Sequence, residues 1–329
     1  MSVFKRVLRK IQTKGSHQHN EKREATRWAF RLFLDREIDD EFTLNYYSEY
    51  AHSDLRTNFM ASDEFSRNND YITLMHSDWL IKETKYGFRL FVYLRDISIS
   101  RAIILDRYEI PEVSFISKFL QPGQYAIDIG ANIGFYSMLL SKLVGERGKV
   151  ISFEPIPHLF KALTRSRDEN RFAGICDIHN LALSDHDGEV SMVFAPKSTN
   201  FGGSYISGDK DAPAEHERTT VKTLKLDGFM SSRKVDFIKI DVEGAEFLAL
   251  SGGLELIKRD MPVILCELHN VQLEKVSSTN ATSLISLLTD LGYRCNLLQE
   301  DGTLGEAITQ HDSAAVVNVI FSKSEPLPA

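Results

Sequence analysis

Cysteine is scarce: Cys176, Cys266 and Cys295 are the three in 329 residues. They are widely spaced in apolar, strand-like runs, which excludes a disulfide framework and a zinc motif and suits a reducing compartment. No run of about 18 apolar residues exists to span a bilayer, and the start of the chain lacks the continuous apolar core and small-residue cleavage site of a secretory signal. The expected location is therefore cytoplasmic. Positive charge is also in deficit: 39 Lys and Arg against 46 Asp and Glu leave a formal charge of −7. That balance argues against a surface built as a whole to grip nucleic acid. With 43% hydrophobic residues, the chain can fill a full-sized core, and its length suggests one large domain plus something smaller.

A local exception to the acidic balance is "MSVFKRVLRKIQTK", where Val3, Phe4, Val7, Leu8 and Ile11 share one helical face and Lys5, Arg6, Arg9 and Lys10 the other. Two readings fit this pattern: peripheral contact of residues 1–14 with the inner face of an anionic membrane, or a first helix docking its apolar side on the protein. "GSHQHNEKRE" reads as a linker. Beyond it, helical periodicity in Trp28, Leu32 and Phe33, then in Leu55, Phe59 and Met60, marks a small helical module, with Ser53 or Asp54 as a cap and "ASDEF" opening a further short helix. "YGFRLFVYLRDISIS" alternates like a strand, and "YEIPEVSFISKFLQPG" reads as a helix with Pro111 in its first turn.

From Tyr125 the patterns alternate. "YAIDI", "KVISF", "VDFIKI" and "PVILCEL" are strands separated by helices, which predicts a doubly wound α/β sheet, and "YRCNLL" and "AAVVNVIF" predict an antiparallel edge. "CDIHNLAL" and "GEVSMVF" flank "SDHDG", a hairpin signal.

In such sheets ligands sit beyond the carboxyl ends of the strands. The turn there is "GANIG", which departs from the G-x-G-x-x-G of dinucleotide binding. Asp128, just before it, would repel a pyrophosphate but attract a cation. S-adenosylmethionine has no phosphate and carries an ammonium and a sulfonium. The turn's glycines allow its methionine end close to the backbone, and amides at the helix start offer a seat for its carboxylate. Glu154, at the end of the second strand, is placed to accept both ribose hydroxyls. Helix capping accounts for either acid taken alone; their joint occurrence favours the methyl donor.

"YAIDIGANIGFYS", "KVISFEPIPHLFKALTRSRDEN", "HNLALSDHDGEVSM" and "VDFIKIDVEGAEFLALSGG" together resemble FkbM-family methyltransferases, in order from about Tyr108 to Phe321. The resemblance implies a Rossmann-like methyltransferase fold using S-adenosylmethionine, commonly for O-methylation of sugars or other hydroxylated metabolites. It assigns Asp128, Gly130, Asn132 and Gly134 to the methionine end of the donor, Glu154 to the ribose, and Asn180 and Ala182 to the border of the adenine. It also places Asp241 beside the donor. The helical module resembles one found beside bacterial glycan-related enzymes, which points to surface glycan biosynthesis. The expected divisions are residues 1–24 as basic segment and linker, 25–75 as helical module, 76–124 as connecting strand and helix, 125–323 as methyltransferase domain and 324–329 as tail.

Methyl transfer to oxygen needs alignment and proton removal. "KIDVEGAE" and "LCELHN" end adjacent strands, so Asp241, Glu267 and His269 form the expected acceptor site. The helix dipole accounts for Glu243 and Glu246 without chemistry, and a surface loop accounts equally for His269. No metal is assigned, although the same acids have the chemistry to hold Mg²⁺. The glycine-rich "STNFGGSYISGDKDAPAEHE" reads either as a loop over the acceptor, with Asn200, Gly203 and Ser204 as contacts, or as a plain crossing loop. The expected partner is a small-molecule or glycan acceptor, with no nucleic acid; "DVEG" stands where base-directed enzymes carry Asn/Asp-Pro-Pro-aromatic. A scaffold retaining the cofactor fold is the competing reading from another class.

Overall fold

The computed structural model describes residues 18–34, 37–38, 40–49, 79–194, 205–206, 217–229 and 231–323. The chain forms two compact units, residues 1–78 and 79–329. In the first, α1 (Gln18–Leu34) and α2 (Glu41–Ser48) are described. Helix α1 begins inside the stretch expected to be a linker, because Glu21 to Ala25 are good helix formers with no Gly or Pro among them. Asp40 caps α2 by accepting the Thr43 amide at 2.7 Å. Phe30, 1% exposed, meets Tyr47 edge-on at 5.4 Å, whereas Trp28 is 52% exposed. The basic segment at residues 1–14 and the expected helices around Leu55, Phe59 and Met60 lie outside the described residues, as do Asn200, Gly203 and Ser204.

The second unit opens with an antiparallel hairpin, β1 (Trp79–Glu83) and β2 (Arg89–Tyr93). The expected long strand stops at Tyr93, and residues Ile99–Ile104 are helical (α3). Asp96 turns the chain there: its carboxylate accepts the amides of Ser98 and Ser100 at 3.1 and 2.8 Å. Helix α4 (Ile110–Phe119) carries Pro111 in its first turn and buries Val113, Phe115 and Ile116.

The main sheet has eight strands. Its parallel part is β3 (Tyr125–Ile129), β4 (Lys149–Phe153), β5 (Cys176–His179), β10 (Phe237–Ile240) and β11 (Val263–Leu268). Its edge is antiparallel, made by β12 (Tyr293–Leu298), β13 (Leu304–Ala307) and β14 (Val317–Lys323). The spatial order is β13-β12-β14-β11-β10-β3-β4-β5. From β3 the chain winds outward through β4 and β5, and later through β10 and β11 on the other side. Strand order thus reverses between β3 and β10, where a crevice opens beyond the strand ends.

Alternation along the strands divides the core. Ala126, Val150 and Phe237 join one apolar cluster with helix α5 (Phe135–Val144), while Ile127, Ile151 and Ile238 join the other. Side chains at period two share a face. Asp128 and Lys239 therefore lie on the α5 face, directly opposite each other in the β3–β10 register.

A four-stranded sheet in the order β6-β9-β7-β8 completes the unit. The expected hairpin across "SDHDG" is absent there. β9 (Glu217–Leu224) inserts between β6 (Ala182–Leu183) and β7 (Gly188–Phe194), and β8 is Tyr205–Ile206. Strand β9 reads as polar in sequence, yet its Val221 and Thr223 are buried.

Candidate active site

A cleft of about 290 Å³ lies at the carboxyl ends of β3, β4 and β10. Its rim begins with the β3–α5 turn. Gly130 has φ +81, and a Cβ there would lie 2.0 Å from the Asp241 carbonyl. The glycine is required because the β10 tip crosses so closely, not by a ligand alone. The amides of residues 130–134 are bonded within the protein: those of Gly130 and Ala131 to the Phe153 carbonyl, Asn132 to Glu154, Ile133 to the Asn132 side chain, and Gly134 to the Ala131 carbonyl. The amides of the turn itself are thus spent within the protein, and what the turn provides is shape.

Glu154 lines the cleft and is fixed at both oxygens: Asn132 N donates to Oε2 and Ile156 N to Oε1, each at 2.8 Å. Burial pushes its carboxyl up to about 7, against the opposing pull of those amides. Asn180 does not line the cleft. Its Nδ2 donates to the carbonyls of Glu154 and Pro155 at 2.8 and 2.9 Å, so it holds the Glu154 turn in place. Ala182 does line the cleft, with Phe153, Ile156, Leu181 and Leu183 as apolar neighbours.

Asp128 sits behind the wall rather than on it: it is 0% exposed and absent from the lining. Strand alternation turns it toward α5, where Ser137 Oγ donates to Oδ2 at 2.6 Å and Oδ1 has no partner. Burial raises its pKa, opposed by the Lys239 ammonium and Ser137. Gly134 also lies outside the lining; a Cβ there would meet Leu163 at 2.6 Å.

Lys239 is the one basic side chain among the described lining residues, and it is 5% exposed. Its Nζ is 3.3 Å from Asp241 Oδ2 and 4.8 Å from the centre of the Tyr136 ring. Burial alone would lower its pKa, but Asp241, Asp128 and Glu109 hold it above its ordinary value. The lysine stands in a strand whose other members are all apolar, and that contrast is the signal by which the sequence could have marked it.

Asp241 and Glu267 both reach the cleft; His269 does not, being the residue before helix Asn270–Ser277 and outside the lining. Glu243 (φ 51) lines the cleft too. Burial, with the neighbouring carboxylates led by Asp241, pushes Glu243 and Glu267 each up to about 8. Among the described residues no hydrogen-bond donor meets either carboxyl, and no group of three or more His, Cys, Asp or Glu is arranged to hold a metal ion. Glu246 points inward, accepting the amides of Val242 and Gly244 at 2.9 and 3.2 Å. Sequence reasoning also missed Tyr108, Glu109 and Tyr136, which line the cleft opposite the strand tips.

The donor set suits a cationic, phosphate-free ligand with an apolar ring: four lining carboxyls at and just beyond the strand tips, Glu154, Asp241, Glu243 and Glu267, share the cleft with one ammonium, beside an apolar slot. The methyltransferase FkbM domain matches residues 128–295. The chain belongs to the FkbM methyltransferase family. Its matched region is an S-adenosylmethionine-dependent methyltransferase domain on a mixed α/β fold with a large central sheet.

Among the relatives, 31-O-demethyl-FK506 methyltransferase FkbM of Streptomyces tacrolimicus is 36% identical over 179 residues, covering 46% of this chain and 68% of that one. The AMB antimetabolite synthetase AmbE of Pseudomonas aeruginosa is 23% identical over 215 residues, 55% of this chain and 10% of that protein. The chain thus spans a tenth of the synthetase and about two thirds of FkbM. A crystal structure of methyltransferase FkbM from Methylobacillus flagellatus is similar at a TM-score of 0.40 and 14% identity, covering 89% of this chain and 58% of that one. Among the described residues no helix is long and apolar enough to cross a membrane.

Proposed function

We propose that the chain methylates a hydroxyl of a sugar or another hydroxylated metabolite, a unit of a surface glycan being the acceptor in view. The observation that carries the reading is the convergence of Glu154, Asp241 and Glu267, from the ends of three strands, on one cleft with an apolar slot at one side. Oxygen as the target draws support from the Streptomyces tacrolimicus relative, by name a 31-O-demethyl-FK506 methyltransferase.

When bound, S-adenosylmethionine supplies a methyl group on a sulfonium whose charge is lost as the acceptor oxygen bonds. Glu154, held rigid by two amides, would accept the ribose hydroxyls, and the apolar residues from Phe153 to Leu183 would flank the adenine. The buried carboxylates favour the cationic end. Asp241, 3.3 Å from the Lys239 ammonium, brings its carboxyl group to the floor of the cleft. Glu267 takes the acceptor proton: its carboxyl is poised near 8, close to neutral, where a general base is most effective.

Calorimetric titration with S-adenosylmethionine tests the reading. Binding by the wild type, weakened about tenfold or more in Glu154→Ala, is expected. Wild-type affinity in that variant would remove Glu154 from the donor site, and neither heat nor a thermal shift in the wild type would overturn methyl transfer itself. Glu267→Gln should bind the donor and lose about 10²–10⁴ in turnover.

A further inference from the structure

One wall of the cleft comes from outside the matched domain. Ser98, Ile99, Tyr108 and Glu109 line it, and all precede residue 128, where the family match begins. These residues belong to a strap running from Asp96 to Pro111. Asp96 grips its start through two amides. Asp106 ties its middle to the β1–β2 hairpin, with Lys82 Nζ on Oδ2 at 3.0 Å and Lys85 Nζ on the Asp106 carbonyl at 2.9 Å. Glu109 anchors its end: Tyr136 on α5 donates its hydroxyl to Oε2, and the Tyr108 ring lines the cleft next to it.

Glu109 has φ 38 and ψ 55, a left-handed backbone that a side chain other than glycine adopts at a cost of about 1 kcal/mol or more. Helix α4 needs no acid at that position, since Glu109 makes no side-chain cap to it. The fold therefore carries backbone strain in order to present a carboxyl in the cleft. One phenol, that of Tyr136, occupies one of its roughly four acceptor positions. The rest face a space walled by the Tyr108, Phe135 and Tyr136 rings, Tyr108 and Phe135 packing edge-on at 5.0 Å.

We propose that Glu109 is the acceptor-selecting residue of this enzyme, accepting a hydrogen bond from a second hydroxyl adjacent to the one that is methylated. Tyr136 is the positioning residue that aims its carboxyl. The proposal rests on the reading of the cleft as an O-methylation site. The strap then gives this chain a selectivity determinant that the matched domain does not encode.

The test measures S-adenosylhomocysteine formation on methyl pyranosides and their matched monodeoxy derivatives, with donor affinity measured separately by calorimetry. The wild type should prefer pyranosides with an adjacent hydroxyl by about tenfold to a hundredfold in kcat/KM. Glu109→Gln should lose part of that preference and Glu109→Gly all of it, through KM, with donor affinity within about twofold of wild type. The glycine variant relieves the left-handed backbone, which offsets part of the loss of the Tyr136 bond, and the glutamine variant, which keeps a carbonyl acceptor for Tyr136, keeps the experiment interpretable where the glycine variant melts early. Tyr136→Phe should reduce the preference less than Glu109→Gly. An unchanged preference in Glu109→Gly, donor affinity that falls in step with kcat/KM, or a wild type that binds donor yet methylates no pyranoside would overturn the proposal. Absence of donor binding in the wild type would instead strike the underlying functional reading.

Discussion

Two pairs of buried glutamates sit around the same crevice under different constraints. Glu154 and Glu246 each accept two backbone amides and are pushed up to about 7. Glu243 and Glu267 meet no donor among the described residues and are pushed higher, to about 8. Burial is the leading cause in all four. The amides hold the first pair down, because a bond made only to the ionised form opposes desolvation, while neighbouring carboxylates led by Asp241 push the second pair up. The first pair is thus built into the fold, one shaping the β4–α6 turn (α6, Pro157–Glu169) and the other the β10–α7 turn (α7, Glu246–Ser251). The second pair is left for a ligand to neutralise.

Removing a clamped carboxyl gives the largest expected loss. Glu246→Ala strips the acceptor from the Val242 and Gly244 amides at a site 3% exposed. A loss of about 2–4 kcal/mol in denaturant unfolding is expected, since each orphaned buried amide costs about 1–3 kcal/mol. Glu246→Gln keeps a carbonyl acceptor and should recover most of it. Equal losses in both variants would show that charge, not amide bonding, matters there.

Neutralising an unclamped carboxyl should have the opposite sign. Glu243 and Glu267 ionise near 8 in the folded chain, against an ordinary value of 4.5. Below about 4.5 both states hold the proton. Above that the unfolded chain gives it up while the folded chain keeps it, so stability falls as pH rises toward about 8. Glutamine cannot titrate. Glu267→Gln should therefore melt like the wild type near pH 5 and be more stable near pH 8.5, by about 4–5 kcal/mol for the full shift and by less to the extent that solvent screens this partly exposed carboxyl. A variant less stable at the higher pH would mean that a donor to Glu267 forms in solution.

The contrast between the pairs also shows how far the sequence could be read. Strands β3, β4, β10 and β11 follow from their apolar runs, and strand order then brings Glu154, Asp241 and Glu267 to one place. Three features depended on contacts distant in sequence. Asp128 faces α5 because alternation within β3 pairs it with Ala126, so its charge acts from behind the wall. "SDHDG" looks like a hairpin until β9, more than thirty residues on, takes the space between its flanks. Glu109 reads as the lead-in to a helix, and only the folded strap sets it beside Tyr136. His269 stands outside the cleft for a local reason: the strand ends at Leu268, and His269 is the cap residue that leads into the helix Asn270–Ser277.

The smallest expected effect separates donor from product. A carboxyl near 8 is mostly protonated at pH 7, and a cation placed beside it lowers its pKa. Binding of S-adenosylmethionine should therefore release protons, up to about one, and tighten as pH rises from about 6 to 8. Calorimetry in two buffers of unlike ionisation enthalpy gives the proton count directly. S-adenosylhomocysteine lacks the sulfonium charge and should release fewer, and Glu267→Gln should reduce the count for the donor while leaving that for the product nearly unchanged. Equal counts for the two molecules would mean that the unclamped pair lies too far from the sulfonium to sense it. Glu243 and Glu267 would then have to answer to the acceptor alone.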